Sequence, residues 1–356
     1  MMVIVCVDSL TISQQSRKQV YYYVSSYTIE LLMKLLRGIQ HFSAFDKGVV
    51  ATIGNFDGVH LGHQNLIRTL EKKANDLKLP LVLILFEPQP REYFQREKAP
   101  ARLSSLREKL DVLGSCQIDY VYCFKFNNTL AQTYAADFAR TYLFFTLNVK
   151  YLLVGEDFRF GKDREGDVNL LKKLGSEYAC DVSIYSNFCI NENRISSTRI
   201  RTALQHGDLN TAAKYLGRPY SICGRILHGD GRGRQWGIPT ANLALHRYSL
   251  PLQGVFVVRA RVASQMVYGV ANIGRRPTVD GSKNILEVHL FDFDLSIYGE
   301  LMQVFFLHKL RDEVKFTSVD ALIAQIYDDI VAAKEFLRNC NEKTSISTLG
   351  VDLSAG

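Results

Sequence analysis

"VVATIGNFDGVHLGHQNLI", residues 49–67, is the stretch whose reading decides the fold. Its first five residues are apolar or β-branched without interruption, the pattern of a strand covered on both faces. Its last residues open a helical pattern from His63 to Leu77, with Leu66, Ile67, Leu70, Ala74 and Leu77 on one face. Between the two stand Gly54, Gly58 and Gly62 with Phe56, Asp57, His60 and His63. A plain connector needs none of these groups. If the helix begins near Val59, both imidazoles lie on one face at its N-terminus. That end carries unsatisfied N–H groups and partial positive charge, which favour a phosphate. Imidazole donors there can stabilise charge developing on a phosphorus under attack. The plain alternative is a capped turn with surface histidines. A zinc site lacks a third ligand, because no Cys–His cluster accompanies the pair.

Outward from this stretch the same alternation recurs. "LVLILF" (81–86), "DYVYCFKF" (119–126), "VKYLLVG" (149–155) and "DVSIYSNF" (181–188) read as further buried parallel strands between helical segments. The expectation is a doubly wound α/β sheet with its ligands beyond the carboxyl ends of the strands. Two more loops fall at such ends. "GEDFRFGKDREGD" (155–167) carries Asp157, Arg159 and Arg164 among glycines, and "RISSTRIR" (194–201) offers Ser196, Ser197 and Thr198 as caps with Arg199 and Arg201 beside them. Alone the first reads as a solvated polar loop and the second equally as a plain capped helix; together they point to one phosphate-binding edge.

After Pro219 the texture changes to short strands punctuated by glycine. "SICGRIL" (221–227), "GVFVVRARV" (254–262), "QMVYGVANIG" (265–274), "ILEVHLFDFD" (285–294) and "MQVFFLHKL" (302–310) predict an antiparallel barrel or sandwich. Ser318 is placed to cap a last helix with Val319, Leu322, Ile323, Ile326 and Ile330 as its apolar stripe. "GRILHGDGRGRQWGIPTANL" (224–243) packs Gly224, Gly229, Gly231, Gly233 and Gly237 into a loop able to wrap a polyphosphate, though it lacks the Walker lysine. Thr240 and Asn242, two apart, present oxygens suited to Mg²⁺, while a simple turn is the bland reading. Alternation puts Leu286, Val288 and Leu290 on one face and Glu287 with Ile285 and His289 on the other. Such a Glu faces solvent by default; held near a γ-phosphate it serves as a base.

Bulk numbers agree with two domains. The chain has 356 residues, 47% hydrophobic and 22% charged, with a formal charge of +7 and no run of three basic residues. That suits small anionic ligands and offers neither a nucleic-acid arm nor a membrane-binding patch. Seven scattered cysteines without a C-x-x-C pair fit reduced thiols in a cytoplasm. Residues 1–32 lack the order of a signal peptide, and Met33 opens "MKLLRGI" like a true start, so 1–32 read as a non-native or dispensable extension. The boundary falls near 217–220, giving domains 33–217 and 218–338, and the aperiodic 339–356 reads as a mobile tail.

The order G-x-F-D-G-x-H-x-G-H, G-[DE]-D-F-x-F-G, I-S-S-T-x-[IV]-R resembles the adenylyltransferase half of bacterial bifunctional FAD synthetases, within the HxGH nucleotidyltransferases. "LFEPQP" (85–90) stands at that family's F-[DE]-P-x-P segment, with Gln89 where many members have His. The second half, from the glycine loop through "PTAN", "GVANIGRRPT" and "LEVHLFD", is similar to the riboflavin kinase module of the same enzymes. There "LSIYG" (295–299) has Ser296 in place of an acid. The resemblance implies a Rossmann-like nucleotidyltransferase domain followed by a six-stranded antiparallel β-barrel with a terminal helix. It implies that ATP phosphorylates riboflavin to FMN, and that a second ATP adenylylates FMN to FAD with release of pyrophosphate, both with Mg²⁺. Gly54, Phe56, Asp57, Gly58, His60, His63, Ser197, Thr198 and Arg199 would hold ATP in the first domain, with Asp157 and Arg159 on the FMN side. In the second, Gly224, Gly229 and Gly237 would form the phosphate flap, Thr240 and Asn242 would bind Mg²⁺–ATP, and Glu287 would be the base. His60, His63 and Glu287 are the catalytic candidates. The rival readings are a chain keeping one of the two activities, and a non-catalytic flavin or nucleotide sensor. Riboflavin, FMN and ATP are the expected partners, with no nucleic acid and no membrane.

Overall fold

Every residue of Val49–Ile53 is buried, and so are Leu81 to Leu85, as expected of strands covered on both faces. The computed structural model describes residues 20–21, 33–38, 45–186, 188–190, 193–229, 232–245, 247–278 and 281–348. Packing divides the chain into two units, Met1–Thr198 and Arg199–Gly356.

The first unit runs β1 (Val20–Tyr21), β2 (Lys34–Arg37), β3 (Val49–Ile53), α1 (Leu61–Leu77), β4 (Leu81–Glu87), α2 (Pro90–Gln95), α3 (Leu106–Leu113) and β5 (Tyr120–Lys125). It continues through α4 (Asn128–Ala131), α5 (Ala135–Phe138), β6 (Val149–Gly155), α6 (Val168–Glu177), β7 (Asp181–Tyr185), β8 (Cys189–Ile190) and β9 (Asn193–Arg194). The seven-stranded sheet has the order β1-β2-β5-β4-β3-β6-β7, parallel from β2 onward with β1 added antiparallel at the edge. From β3 the chain winds through β4 to β5 on one side, then crosses to β6 and β7 on the other. The switch point lies between β3 and β6, where ligands of wound sheets bind. The "GNFDGVHLGH" turn leaves β3 there, "GEDFRFG" leaves the adjacent β6, and the chain after β7 leads to "RISSTRIR".

Leu66, Ile67, Leu70 and Ala74 of α1 are buried as their spacing predicts. Leu77 is not: it is 43% exposed, because the helix stops there on Lys78, whose left-handed backbone (φ 53°) turns the chain away. Of residues 1–32 only Val20–Tyr21 is described, paired with Lys34 and Leu35; the rest of that stretch lies outside the described residues.

α7 (Ser197–Gln205) spans the division, and the second unit goes on with α8 (Leu209–Leu216), which packs on the strand ending at Arg311. By contacts α8 and α7 from Arg199 onward group with the second unit, whereas the sequence reading places residues up to 217 in the first. Then follow β10 (Ser221–Leu227), α9 (Arg232–Gln235), β11 (Ala241–Leu243), β12 (Gly254–Val262), β13 (Gln265–Thr278), β14 (Gly281–Leu290), β15 (Leu301–Arg311) and α10 (Val319–Thr348). The strands close into an antiparallel barrel in the order β10-β11-β14-β13-β12-β15. Alternation fills it: Phe256, Val258 and Ala260 face in from β12, Leu286, Val288 and Leu290 from β14, and Met302, Val304 and Phe306 from β15. The sixth strand, β11, is three residues long and hides inside "PTANL", where proline and asparagine read as a turn. Ser318 Oγ accepts from Ala321 N at 3.1 Å, the expected cap of α10. The helix extends to Thr348, so residues 339–348 carry helical backbone rather than an aperiodic tail; 349–356 lie outside the described residues.

Candidate active sites

His60 is the N-cap of α1, with extended backbone, and its Nδ1 accepts from His63 N at 3.3 Å. An accepting Nδ1 leaves the ring proton of neutral His60 on Nε2. The imidazoles of His60 and His63 stack, with centroids 3.6 Å apart and planes 13° from parallel, and Phe56 continues the stack 4.8 Å from His63. Burial, then His60 and then Lys109 hold the His63 pKa well below its ordinary value, so the ring is neutral near pH 7. His63 Nδ1 is buried and has no hydrogen-bond partner among the described residues. The paired imidazoles therefore stand at a helix start, as the spacing predicts.

The turn before them is strained. Phe56 (φ 45°), Gly58 (φ 81°) and Val59 (φ 41°) are all left-handed, a region that a β-branched residue avoids. Several bonds impose it. Gly58 N donates to Ser104 Oγ at 2.9 Å, and Ser197 Oγ donates to the Asp57 carbonyl at 2.9 Å. The Asp57 carboxylate accepts from Leu103 N at 3.0 Å and Ser104 N at 3.1 Å, and the residue is 2% exposed. Asp57 thus fixes this turn from within the protein. Ser197 joins the head of α7 to it, while Thr198 and Arg199 follow exposed. Asp157 is exposed and paired with Arg194 at 3.0 Å, and Arg159 folds onto the Phe158 carbonyl at 3.0 Å; the pair borders the same sheet edge from the β6 side.

Behind the turn lies a buried charge network that sequence reasoning missed. Arg102 grips Glu92 through Nε and Nη2 and reaches Glu87 Oε1 at 2.9 Å. Lys109, 1% exposed, donates from Nζ to the Asn55 carbonyl at 2.5 Å. One signal was present: Leu106, Lys109, Leu110 and Leu113 follow the spacing of an apolar helical stripe, and Lys109 is the charge on it. Gln89 caps α2, with its Nε2 buried and without a hydrogen-bond partner among the described residues. Beyond α2, Phe126 is ringed by Phe86, Tyr93 and Phe94 at 5.9, 5.3 and 5.8 Å, and Phe94 is 63% exposed. These rings make an open aromatic face at the carboxyl ends of β4 and β5.

The second site is set by register. Asn242 of β11 lies opposite Glu287 of β14, and Glu287 opposite Asn272 of β13. The row continues to Leu227 on one side and to Val255 and Arg311 on the other. All six residues line one cavity of about 880 Å³ with Gly229, Gly233, Thr240 and His289. Thr240, Asn242 and Glu287 are therefore brought together; Asn272 is an addition that only the register reveals. His289 Nδ1 lies 2.9 Å from the Pro239 carbonyl and holds the Thr240 segment against β14.

Of the flap glycines, Gly229 packs on the Asn242 amide and Gly233 beside Thr240 Oγ1. Gly224 has another task. It sits within β10, and a Cβ there would meet the Ala244 carbonyl at 2.8 Å, so it permits barrel closure rather than forming the flap. Gly237 takes the turn after α9 with φ 73°, and Gly231 lies outside the described residues. From α10, Leu322, Ile326 and Ile330 face the cavity, which is why the predicted stripe is only half-buried; Val319, at the helix start, is 55% exposed. Arg311 forks onto Asp329 at 2.8 and 2.7 Å and ties α10 to β15. Ser296 is exposed, two residues before Tyr298, whose ring stacks on His228 at 3.9 Å.

Among the described residues no group of three or more His, Cys, Asp or Glu is placed to hold a metal, and no helix is long and apolar enough to cross a membrane. A family model for FAD synthetase matches residues 42–199, and one for riboflavin kinase matches 216–337. The bifunctional riboflavin kinase/FMN adenylyltransferase of Haemophilus influenzae is 46% identical over 308 residues, 86% of this chain and 100% of the relative. That of Escherichia coli K12 is 48% identical over 306 residues, 85% of this chain and 98% of the relative. The crystal structure of a Streptococcus pneumoniae protein named for macrolide efflux is similar with a TM-score of 0.70 and 32% identity, covering 84% of this chain and 98% of that one. With both halves matched in order and relatives aligned along nearly their whole length, the chain belongs to the family of bifunctional riboflavin kinases/FMN adenylyltransferases.

Proposed function

We propose that the chain performs both reactions, riboflavin phosphorylation in the barrel (218–338) and adenylyl transfer to FMN on the wound sheet (33–217). In the first reaction Glu287 accepts the proton of the ribityl 5′-hydroxyl as its oxygen attacks the γ-phosphorus of ATP and ADP leaves. Thr240 and Asn242 supply hard oxygen donors on the wall that carries Glu287, a set that suits Mg²⁺ shared with phosphate oxygens. When bound, Mg²⁺ neutralises charge on the transferring phosphoryl group. Asn272 and Asn242 flank Glu287 in the register row, and Gly229 and Gly233, without side chains, leave room for the phosphates.

In the second reaction the phosphate of FMN, already an anion near pH 7, attacks the α-phosphorus of ATP, and pyrophosphate leaves. No base is required; alignment and charge stabilisation are. The N-terminus of α1 with His60 and His63 faces that charge, and Ser197 and Thr198, with Arg199 next in the chain, serve the β- and γ-phosphates. The open face of Tyr93, Phe94 and Phe126 suits a flat isoalloxazine ring, with Asp157 and Arg159 at the other border. The compartment is the cytoplasm.

The observation that carries the reading is completeness. The stacked pair on α1 and the register row on the barrel are both present, which supports two activities rather than one. Incubating the purified chain with riboflavin, ATP and Mg²⁺, and resolving products by chromatography, tests it: FMN and then FAD are expected. FMN alone would favour the single-activity reading, and neither product would favour a sensor.

A further inference from the structure

We propose that Lys109 is a positioning residue for adenylyl transfer, a buried cation that clamps the Asn55 carbonyl and thereby holds the turn presenting His60 and His63. The inference rests on the adenylyltransferase reading of that site. A fully buried ammonium is costly unless something requires it. Here its Nζ donates to a main-chain oxygen 2.5 Å away, in a turn whose next residues are left-handed at Phe56, Gly58 and Val59. A helix that only needed to pack would carry an apolar residue at this place on its stripe.

The position also matters for charge. Burial pulls the Lys109 pKa down and Asp57 opposes that, followed by Arg102, Glu87 and Cys123 as smaller neighbours. The Cys123 thiol is itself pushed up to about 11 by burial and stays neutral. Lys109 in turn is one of three causes that hold His63 neutral, after burial and His60. The groups around the pair are therefore Asp57 on the turn, Arg102 before α3, Glu87 on β4, Cys123 on β5 and His60 itself. A lysine beneath the turn does two things at once. It fixes the backbone that aims the imidazoles, and it keeps a second proton off them while the approaching phosphates bring negative charge.

The test uses the full chain with Lys109→Met, which keeps the length of the side chain and removes the charge. Conversion of FMN to FAD is expected to lose roughly 10- to 100-fold in kcat, with a much smaller change in KM for ATP. The acid limb of its pH profile is expected to move to higher pH, because one of the causes lowering the His63 pKa is gone. Riboflavin phosphorylation by the same chain is expected to be unchanged. A wild-type kcat, or a loss with the acid limb unmoved, would overturn the role of Lys109. If Lys109→Met does not fold, as judged by circular dichroism, Lys109→Arg decides. It keeps the charge but not the fit, so the rate is expected to fall with the acid limb in place, and a wild-type rate overturns the inference. An unvaried chain that makes no FAD would instead overturn the reading of the site.

Discussion

The two sites reach the same kind of ligand by opposite constructions. In the barrel, one row of strand partners, Leu227–Asn242–Glu287–Asn272–Val255–Arg311, lines a cavity. Position follows from hydrogen-bond register, and each side chain is placed by its own strand. On the wound sheet the groups sit on a turn that is left-handed at three residues and is held by bonds from two other segments. The barrel site is therefore modular, and single side chains there are removable with local effect. The turn site is collective, and changes to residues that touch no ligand should propagate to the imidazoles.

Glu287→Ala gives the largest expected effect and tests the modular half. Loss of a positioned base removes about 10²- to 10⁴-fold from riboflavin phosphorylation. FMN-to-FAD conversion should stay near the unvaried rate, and a loss of both activities together would break the picture of separate centres. Because Glu287 lies between two asparagines rather than in a packed layer, the melting temperature should hardly move.

His60 tests the collective half, with an expected loss of about 10²- to 10³-fold in FAD formation. His60→Ala also removes the acceptor that caps α1, worth about 1 kcal/mol. His60→Asn separates the two, since asparagine is a good N-cap. Stability should return with Asn while the rate does not. Recovery of the rate in His60→Asn would reduce His60 to a cap.

The contrast also explains what was legible in the sequence. Parallel strands and the α1 stripe could be read because buried strands leave unbroken apolar runs and helices leave a 3.6-residue period. Glu287 could be read because alternation on β14 forces its direction. Asn272 could not, because it becomes part of the site only through pairing with β14, and register is not written in one strand. Residues 102–104 escaped for a related reason: they support the Asp57 turn from 46 residues away along the chain, and nothing local marks a loop as someone else's scaffold. Lys109 left a trace as a charge on an apolar stripe. Gly224 misled because a glycine needed for close approach within a barrel looks the same as one in a phosphate flap.

A smaller effect lies in the pH dependence of stability. His63 has a folded pKa well below its ordinary 6.5, so between those two values the unfolded chain binds more protons than the folded one. Stability contributed by neutral His63 is thus complete above about pH 6.5 and is lost as pH falls toward the folded value, at most about 1.4 kcal/mol per pH unit. Ordinary carboxylates titrate near pH 4 and leave the window from 5.5 to 6.5 to histidines. The melting temperature of the unvaried chain should drop between pH 7.5 and 5.5 by more than that of His63→Gln. Equal drops would mean that the stacked pair is not held neutral.

Gly62→Ala sharpens the comparison with the smallest change, one methyl group. Within α1 the substitution gains helix propensity, about 1 kcal/mol, and Gly62 needs no left-handed backbone. The new Cβ would meet His60 Cε1 and Nδ1 at 3.2 Å, so the ring must move by a few tenths of an ångström. His60 accepts the His63 amide through that same Nδ1 and stacks on the His63 ring, so both imidazoles shift together. The chain should melt no lower than the unvaried one and keep its riboflavin kinase rate, yet form FAD several-fold more slowly, by about 3- to 10-fold for a displacement well below 1 Å. A more stable protein with a slower second reaction is what a collective site requires. If FAD formation proved insensitive to the methyl, the imidazoles would be placed by α1 alone and the turn would be no more than their connector.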